Sequence, residues 1–153
     1  MEKRTVKRKY SPLAKNSFLF FIGFTTYISI EVIWRGRSHW SMGLVGGLCF
    51  LLIGLLNKRY SWELSLVWQC LASAAIITVL ELIAGLILNV WLGLGIWDYT
   101  NLPLNFMGQI SLLYSLLWIP LSLFAIFFDD WLRHFLFCEE KPYYRIGKWC
   151  FTF

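Results

Sequence analysis

The sequence predicts an all-α polytopic membrane protein, a bundle of four transmembrane helices with an interfacial segment before the fourth. Three observations carry that expectation. Of the 153 residues, 58% are hydrophobic and only 15% charged, too little polar surface to cover a soluble domain of this length. Four apolar runs each reach the length that a bilayer core requires. Lys and Arg also fall on one side of the alternation those runs impose.

In chain order, residues 1–16 form a basic arm, with the sequence MEKRTVKRKYSPLAK carrying six Lys/Arg. The first span covers 17–34. Its basic flank has the look of a signal peptide, but the apolar part is too long and no small-residue cleavage site precedes Glu31, so a retained helix is expected. A very tight connection leads to the second span, 40–57, which makes these two helices antiparallel neighbours. Gly43 and Gly47 form a GxxxG pair there, with Gly54 two turns further on, a stripe that lets another backbone approach. The polar turn at 57–61 precedes a third run, 64–91. That run exceeds the roughly 20 residues a bilayer needs, so it must tilt, bend near Gly85 or protrude.

Gly93 to Pro103 is rich in turn formers and interfacial aromatics and is placed on the membrane surface. The fourth span covers 110–128, with Pro120 as a kink. Asp129 to His134 extend the same helix, pairing Asp129 with Arg133 and Asp130 with His134 at i,i+4 spacing. The remainder, 129–153, is a tail, and the whole of 1–153 reads as a single transmembrane domain. A short echo links Ile30-Glu31-Val32-Ile33 to Leu80-Glu81-Leu82-Ile83, as a two-plus-two duplication would.

The net charge of +5 is concentrated beside apolar runs, which points to a lipid headgroup layer and away from nucleic acid. With the N-terminus inside, twelve Lys/Arg lie on that side and only Arg35 and Arg37 on the other. Both termini are therefore expected in the cytoplasm. Cys49, Cys70, Cys138 and Cys150 have no ligand-like spacing, so neither a disulfide frame nor a zinc site is expected. No metal and no cofactor is expected.

The candidate chemistry gathers where the first span meets the second, in EVIWRGRSHWSM. Tyr27, Glu31 and Arg35 share one stripe of the first helix, and Thr78, Glu81, Gly85 and Asn89 share one on the third. Ser111, Ser115, Trp118 and Ser122 do so on the fourth, with Gln109 at the mouth. Facing inward, these stripes make an outward-open polar pocket. Its ligand- or ion-binding candidates are Glu31, Arg35, Arg37, His39, Glu81, Asn89, Asp98 and Tyr99. Trp34, Trp40, Trp91 and Trp97 form its rim. Glu81 stands out, because an ionisable group inside a span is a functional candidate by default. Two carboxylates in one partly dry site should repel and favour proton or cation exchange. The plainer reading makes Glu31–Arg35 an ion pair and the tryptophans interfacial anchors. Catalysis has little support: there is no HExxH spacing, and Ser38-His39 with Asp98 lacks a nucleophile elbow.

WRGRSHWSM, LELIAGLILNVWLGLGIWDY, NLPLN, GQI and DDWLR together resemble the small bacterial membrane proteins of the putative ABC-transporter (type IV) permease family, over about Glu31 to Arg133. The resemblance implies a bacterial cytoplasmic membrane protein and a permease role. The chain has no GxxxxGK[ST] phosphate loop, so an ATPase would be a separate subunit. Expected partners are membrane lipids and that subunit, with a homodimer as the assembly considered. The leading expectation is binding or translocation of a small solute or ion. The first rival is a non-transporting module that binds lipid headgroups or a partner protein through the WRGRSHW corner. A second, likeness to small multidrug exporters, lacks their motifs.

Overall fold

A computed structural model describes residues 10–60 and 64–152. Most of the basic arm lies outside the described residues. Four long helices make the bundle: α1 (Pro12–Arg35), α2 (Trp40–Tyr60), α3 (Leu66–Gly85) and α4 (Leu112–Phe137). All four are long and apolar enough to cross a membrane, α3 together with its extension to Trp91. The expected all-α bundle is therefore what the chain forms.

Local sequence explains the helix ends. Ser11 caps α1, its hydroxyl accepting from the Ala14 N–H at 3.1 Å, and Pro12 occupies the first turn where its missing donor costs nothing. The helix thus begins five residues before the expected span. Gly36, at φ +72°, closes it in the left-handed conformation that a side chain disfavours. After Gly85 the α3 ladder switches to a π-helix over Leu86–Trp91. The long third run thus changes its hydrogen-bond register just after Gly85. α4 runs unbroken through Pro120, and its cap is Ser111, which accepts from the Tyr114 N–H.

Two small hairpins were not foreseen. β1 (Asn105–Phe106) pairs with β2 (Ile110–Ser111), and β3 (Tyr144–Ile146) with β4 (Trp149–Phe151), both antiparallel. Strands of two and three residues are too short to show an alternating pattern in sequence. The first hairpin folds the 92–111 segment back over the end of the bundle, here called the loop end. The second lies at the opposite, tail end.

α1 packs along α2, α3 along α4, and α2 touches both α3 and α4. The α1–α2 approach rests on small residues. A Cβ on Gly47 would come within 2.7 Å of the Phe20 carbonyl oxygen, and one on Gly46 within 2.3 Å of Tyr27. The GxxxG stripe thus seats α1 within the monomer. Gly54 does not continue it: that glycine makes room for Asp129 of α4. At the tail end α1 meets α4 edge-on, Phe18 against Phe137. Towards the loop end a cleft separates the two helices. The exterior is apolar, with Leu113, Leu116 and Leu117 of α4 all exposed, as lipid contact requires.

Candidate functional site

The α1–α2 corner forms by local geometry. Glu31 is buried, and Arg35, one turn on, reaches back to pair with its Oε1. The Ser38 hydroxyl donates to its Oε2. His39 and Ser41 share a hydrogen bond of 2.7 Å at the start of α2. Arg37 is exposed, as are Trp34 and Trp40 at 73% and 64%. Those two indoles stand where interfacial rings belong.

Glu81 is buried in α3 and holds two neutral donors. Tyr99 Oη donates to Oε1 at 2.9 Å, and Trp118 Nε1 of α4 donates to Oε2 at 3.0 Å. Tyr99 is placed by stacking on Tyr114, ring centroids 4.5 Å apart. Burial, then the Glu81 charge and the hydrogen bond to it, push the Tyr99 phenol above its ordinary range, so it stays a donor. The two carboxylates of the expected pair therefore have separate partners: Glu31 belongs to the corner and Glu81 to the bundle interior.

Glu81 faces the cleft between α1 and α4. With its open side included, the cleft measures about 660 Å³. Gly23, Tyr27 and Ile30 line one side and Leu121, Phe124 and Phe128 the other; Cys49, Phe50 and Ile77 lie behind. Among the described residues that line it, Glu81 is the only charged one. The wall is thus mostly apolar, whereas the polar stripes suggested a hydrophilic pocket. The reason is that several members of those stripes bond to each other or to the loop. Thr78 donates to Ser115 at 3.3 Å, and Asn89 holds the loop.

Asn89 acts as a clamp. Its amide nitrogen donates to the Trp97 carbonyl and to Gln109 Oε1, and its oxygen accepts from the Ile96 N–H. Trp97 is buried, and its indole N–H donates to the Gln109 carbonyl at 2.9 Å. It lies inside the molecule, away from the rim, because the β1–β2 hairpin carries Gln109 over it. Trp91 is 79% exposed. Asp98 accepts from the N–H and hydroxyl of Thr100, shaping the exposed turn. Of the expected residues, then, Glu81 and Tyr99 meet beside the cleft, while Glu31 and Arg35 pair at the corner.

A second buried polar cluster occupies the tail end. Asp129 is fully buried and accepts from Arg133 Nε at 2.6 Å. Asp130 does not pair with His134 as its spacing suggested. It accepts from the Asn57 amide at 2.7 Å and from Tyr144 Oη at 2.6 Å, while His134 Nδ1 bonds the Glu139 carbonyl. Burial and the Asp130 hydrogen bond raise the Tyr144 phenol. Glu139 takes Lys15 and Lys58 as partners. Burial alone would raise the Glu139 carboxyl, but the Lys15 hydrogen bond and the Lys58 charge outweigh it and hold the group below its ordinary value. The i,i+4 spacing anticipated the Asp129–Arg133 pair, but its burial and the partners on α2 and β3 were not legible from spacing on one helix.

A family model described as putative ABC-transporter type IV matches residues 18–151. The chain belongs to that family. No curated protein and no solved structure matches it.

Proposed function

We propose that this member of the putative ABC-transporter type IV family binds a small amphipathic cation in the α1–α4 cleft and moves it across the membrane. The family and the four apolar helices support a multi-pass membrane protein with a transport-related role. One observation carries the finer reading: an apolar cleft holds, among the described residues, a single charged wall residue, the carboxylate of Glu81. Apolar walls favour an apolar body, and an isolated carboxylate favours a positive or hydrogen-bond-donating group. Each Glu81 oxygen accepts one hydrogen bond from Tyr99 or Trp118, which leaves lone pairs for a ligand. The protein's part is non-enzymatic, and any ATP hydrolysis belongs to a separate subunit.

The test is thermal stabilisation of the purified full chain in detergent by tetraphenylphosphonium, against its neutral analogue tetraphenylmethane. The cation should raise the melting temperature in a saturable way, and Glu81→Gln should lose that shift while keeping its fold. Equal response to both compounds would mean the carboxylate plays no part in recognition. No response to either would remove the cleft as a site and favour the headgroup-binding reading, for which exposed Arg37 between Trp34 and Trp40 is the motivating feature.

The Lys/Arg count supports a bacterial cytoplasmic membrane orientation with both termini inside. An impermeant thiol reagent added to intact cells should then modify Thr100→Cys and spare Cys138 and Cys150. Labelling of the tail from outside would reverse the assignment.

A further inference from the structure

The α1–α4 cleft is closed at both ends and open at its side. Towards the loop end Met42 lines it and packs with Trp97 and Ala84, and Tyr27 and Tyr99 pack against that cluster. Towards the tail end Phe50 and Phe128 meet, ring centroids 5.9 Å apart, where they join the cluster built on Leu19 and Leu132. No described residue of the 92–111 segment or of the tail lines the cleft. Ile30 of α1 and Phe124 of α4 line it and are also exposed. They form the lips of an opening between the two helices.

The height of that opening decides what it faces. The lining runs from Gly23 to Ile30 on α1 and from Trp118 to Phe128 on α4, the middle of two membrane-spanning helices. Both lips are apolar, and hydrocarbon is the medium at that depth. Trp118 and Phe128 stand ten residues apart on α4, about 15 Å at a helical rise of about 1.5 Å per residue. That is half of a hydrocarbon core about 30 Å thick, so the groove has the length of one chain in one leaflet.

The charge sits at one end of the groove. Glu81 and Trp118, bonded to each other, mark its loop end, and Phe128 marks its tail end. Tyr99 and Trp118 orient the Glu81 carboxylate but bring no positive charge. The Arg35 charge is felt at Glu81, yet its ion pair is with Glu31. An ionised group beside hydrocarbon is costly until it is paired. A hydrated inorganic ion would shed its water to pass the apolar lips, at high cost. A cation that carries its own hydrocarbon passes them with its chain.

We propose that a single-chain cationic amphiphile enters this cleft sideways from the bilayer, sets its ammonium at Glu81 and lays its chain along the groove towards Phe128. This rests on the cation-binding role proposed for Glu81 and adds to it a chain, an orientation and a route. Inside a bilayer the chain only exchanges lipid neighbours for the groove wall, since lipid tails are as apolar as leucine. Selection therefore falls to the ammonium, which offers up to three donors to the free lone pairs of the carboxylate. A neutral chain of equal length has the same access and lacks that contact.

The experiment reconstitutes the full chain into liposomes with dodecylammonium bearing a diazirine on its terminal carbon. After irradiation, mass spectrometry locates the adducts. They should concentrate at the tail end of the groove, on Ala125, Phe128 and Phe50, and tetraphenylphosphonium should compete them away. The yield there should fall about tenfold with the matching dodecanol probe or in Glu81→Gln, as loss of a charge-assisted contact implies. Adducts spread over the outward Leu113, Leu116 and Leu117, or equal yields from ammonium and alcohol, would overturn the proposal. Tetraphenylphosphonium stabilisation through Glu81 without adducts at the tail end of the groove would leave the cation reading standing and remove the chain. Absence of both would remove both. Comparing the two probes needs no variant, so the test stands even where Glu81→Gln does not fold.

Discussion

The two ends of the bundle hold buried carboxylates by different means. At the loop end Glu81 takes two neutral donors, Tyr99 and Trp118, and borders an open cleft. At the tail end Asp129 meets a guanidinium in a closed core, and Asp130 meets Asn57 and Tyr144. Neutral donors orient a carboxylate without cancelling its charge, so Glu81 keeps an attraction for a cation. Asp129 has its counter-charge in Arg133 one turn on, and its carboxylate sits over the floor left by Gly54. One motif is poised for a ligand, the other for holding helices together.

The largest effect should come from breaking the tail-end pair. Arg133→Ala leaves Asp129 buried without its counter-charge, a change that costs about 3–5 kcal/mol in comparable cases. Glu81→Gln removes a charge but keeps an acceptor and the side-chain volume, so about 1 kcal/mol is expected. Thermal unfolding of the two variants in one detergent ranks them directly. If Glu81→Gln proves the more damaging, the loop-end carboxylate is structural and the contrast between the ends disappears.

Next in size is Gly47→Leu, which tests whether the cleft depends on how α1 is seated. The new side chain must displace the Phe20 carbonyl, and overpacking of this kind costs about 1–3 kcal/mol. Because α1 forms one wall of the cleft, stabilisation by tetraphenylphosphonium should weaken along with the melting temperature. A variant with unchanged melting and unchanged ligand response would show that α1 does not rest on this glycine.

Much of the bundle was legible because its signals are local. Four apolar runs and the Gly43/Gly47 stripe each state their role within a few residues, whereas the Ser11 cap and Pro12 start α1 inside the stretch read as the arm. Glu81 was legible for the same reason, as a lone carboxylate in an apolar run. The cleft was not, since it arises from how α1 leans on α2, and no helical stripe encodes a gap between helices. Asn89 and Trp97 sat on the expected end of the molecule, yet the β1–β2 hairpin determines what they touch. Asp130 shows the limit of single-helix spacing: His134 lies at i+4, but Asn57 from α2 and Tyr144 from β3 are the groups that reach it.

The smallest expected effect concerns pH at the tail end. Glu139 gathers Lys15 from α1 and Lys58 from the end of α2, so it fastens three parts of the chain. Its pKa is lowered in the folded protein, because those partners outweigh burial. An unfolded chain therefore binds the proton more readily, and stability from this group is fully present above the unfolded pKa. It is lost as pH falls through the lower folded value. The loop end supplies no matching change from Tyr99, whose raised phenol stays protonated throughout that range. Melting temperatures measured from neutral pH down into the acid range should fall more for wild type than for Glu139→Gln. The difference should be small, since Lys58 is 53% exposed and solvent screens its charge. Parallel curves would mean that this ion pair does not titrate with folding, and that acid sensitivity at the tail end belongs to the buried aspartates.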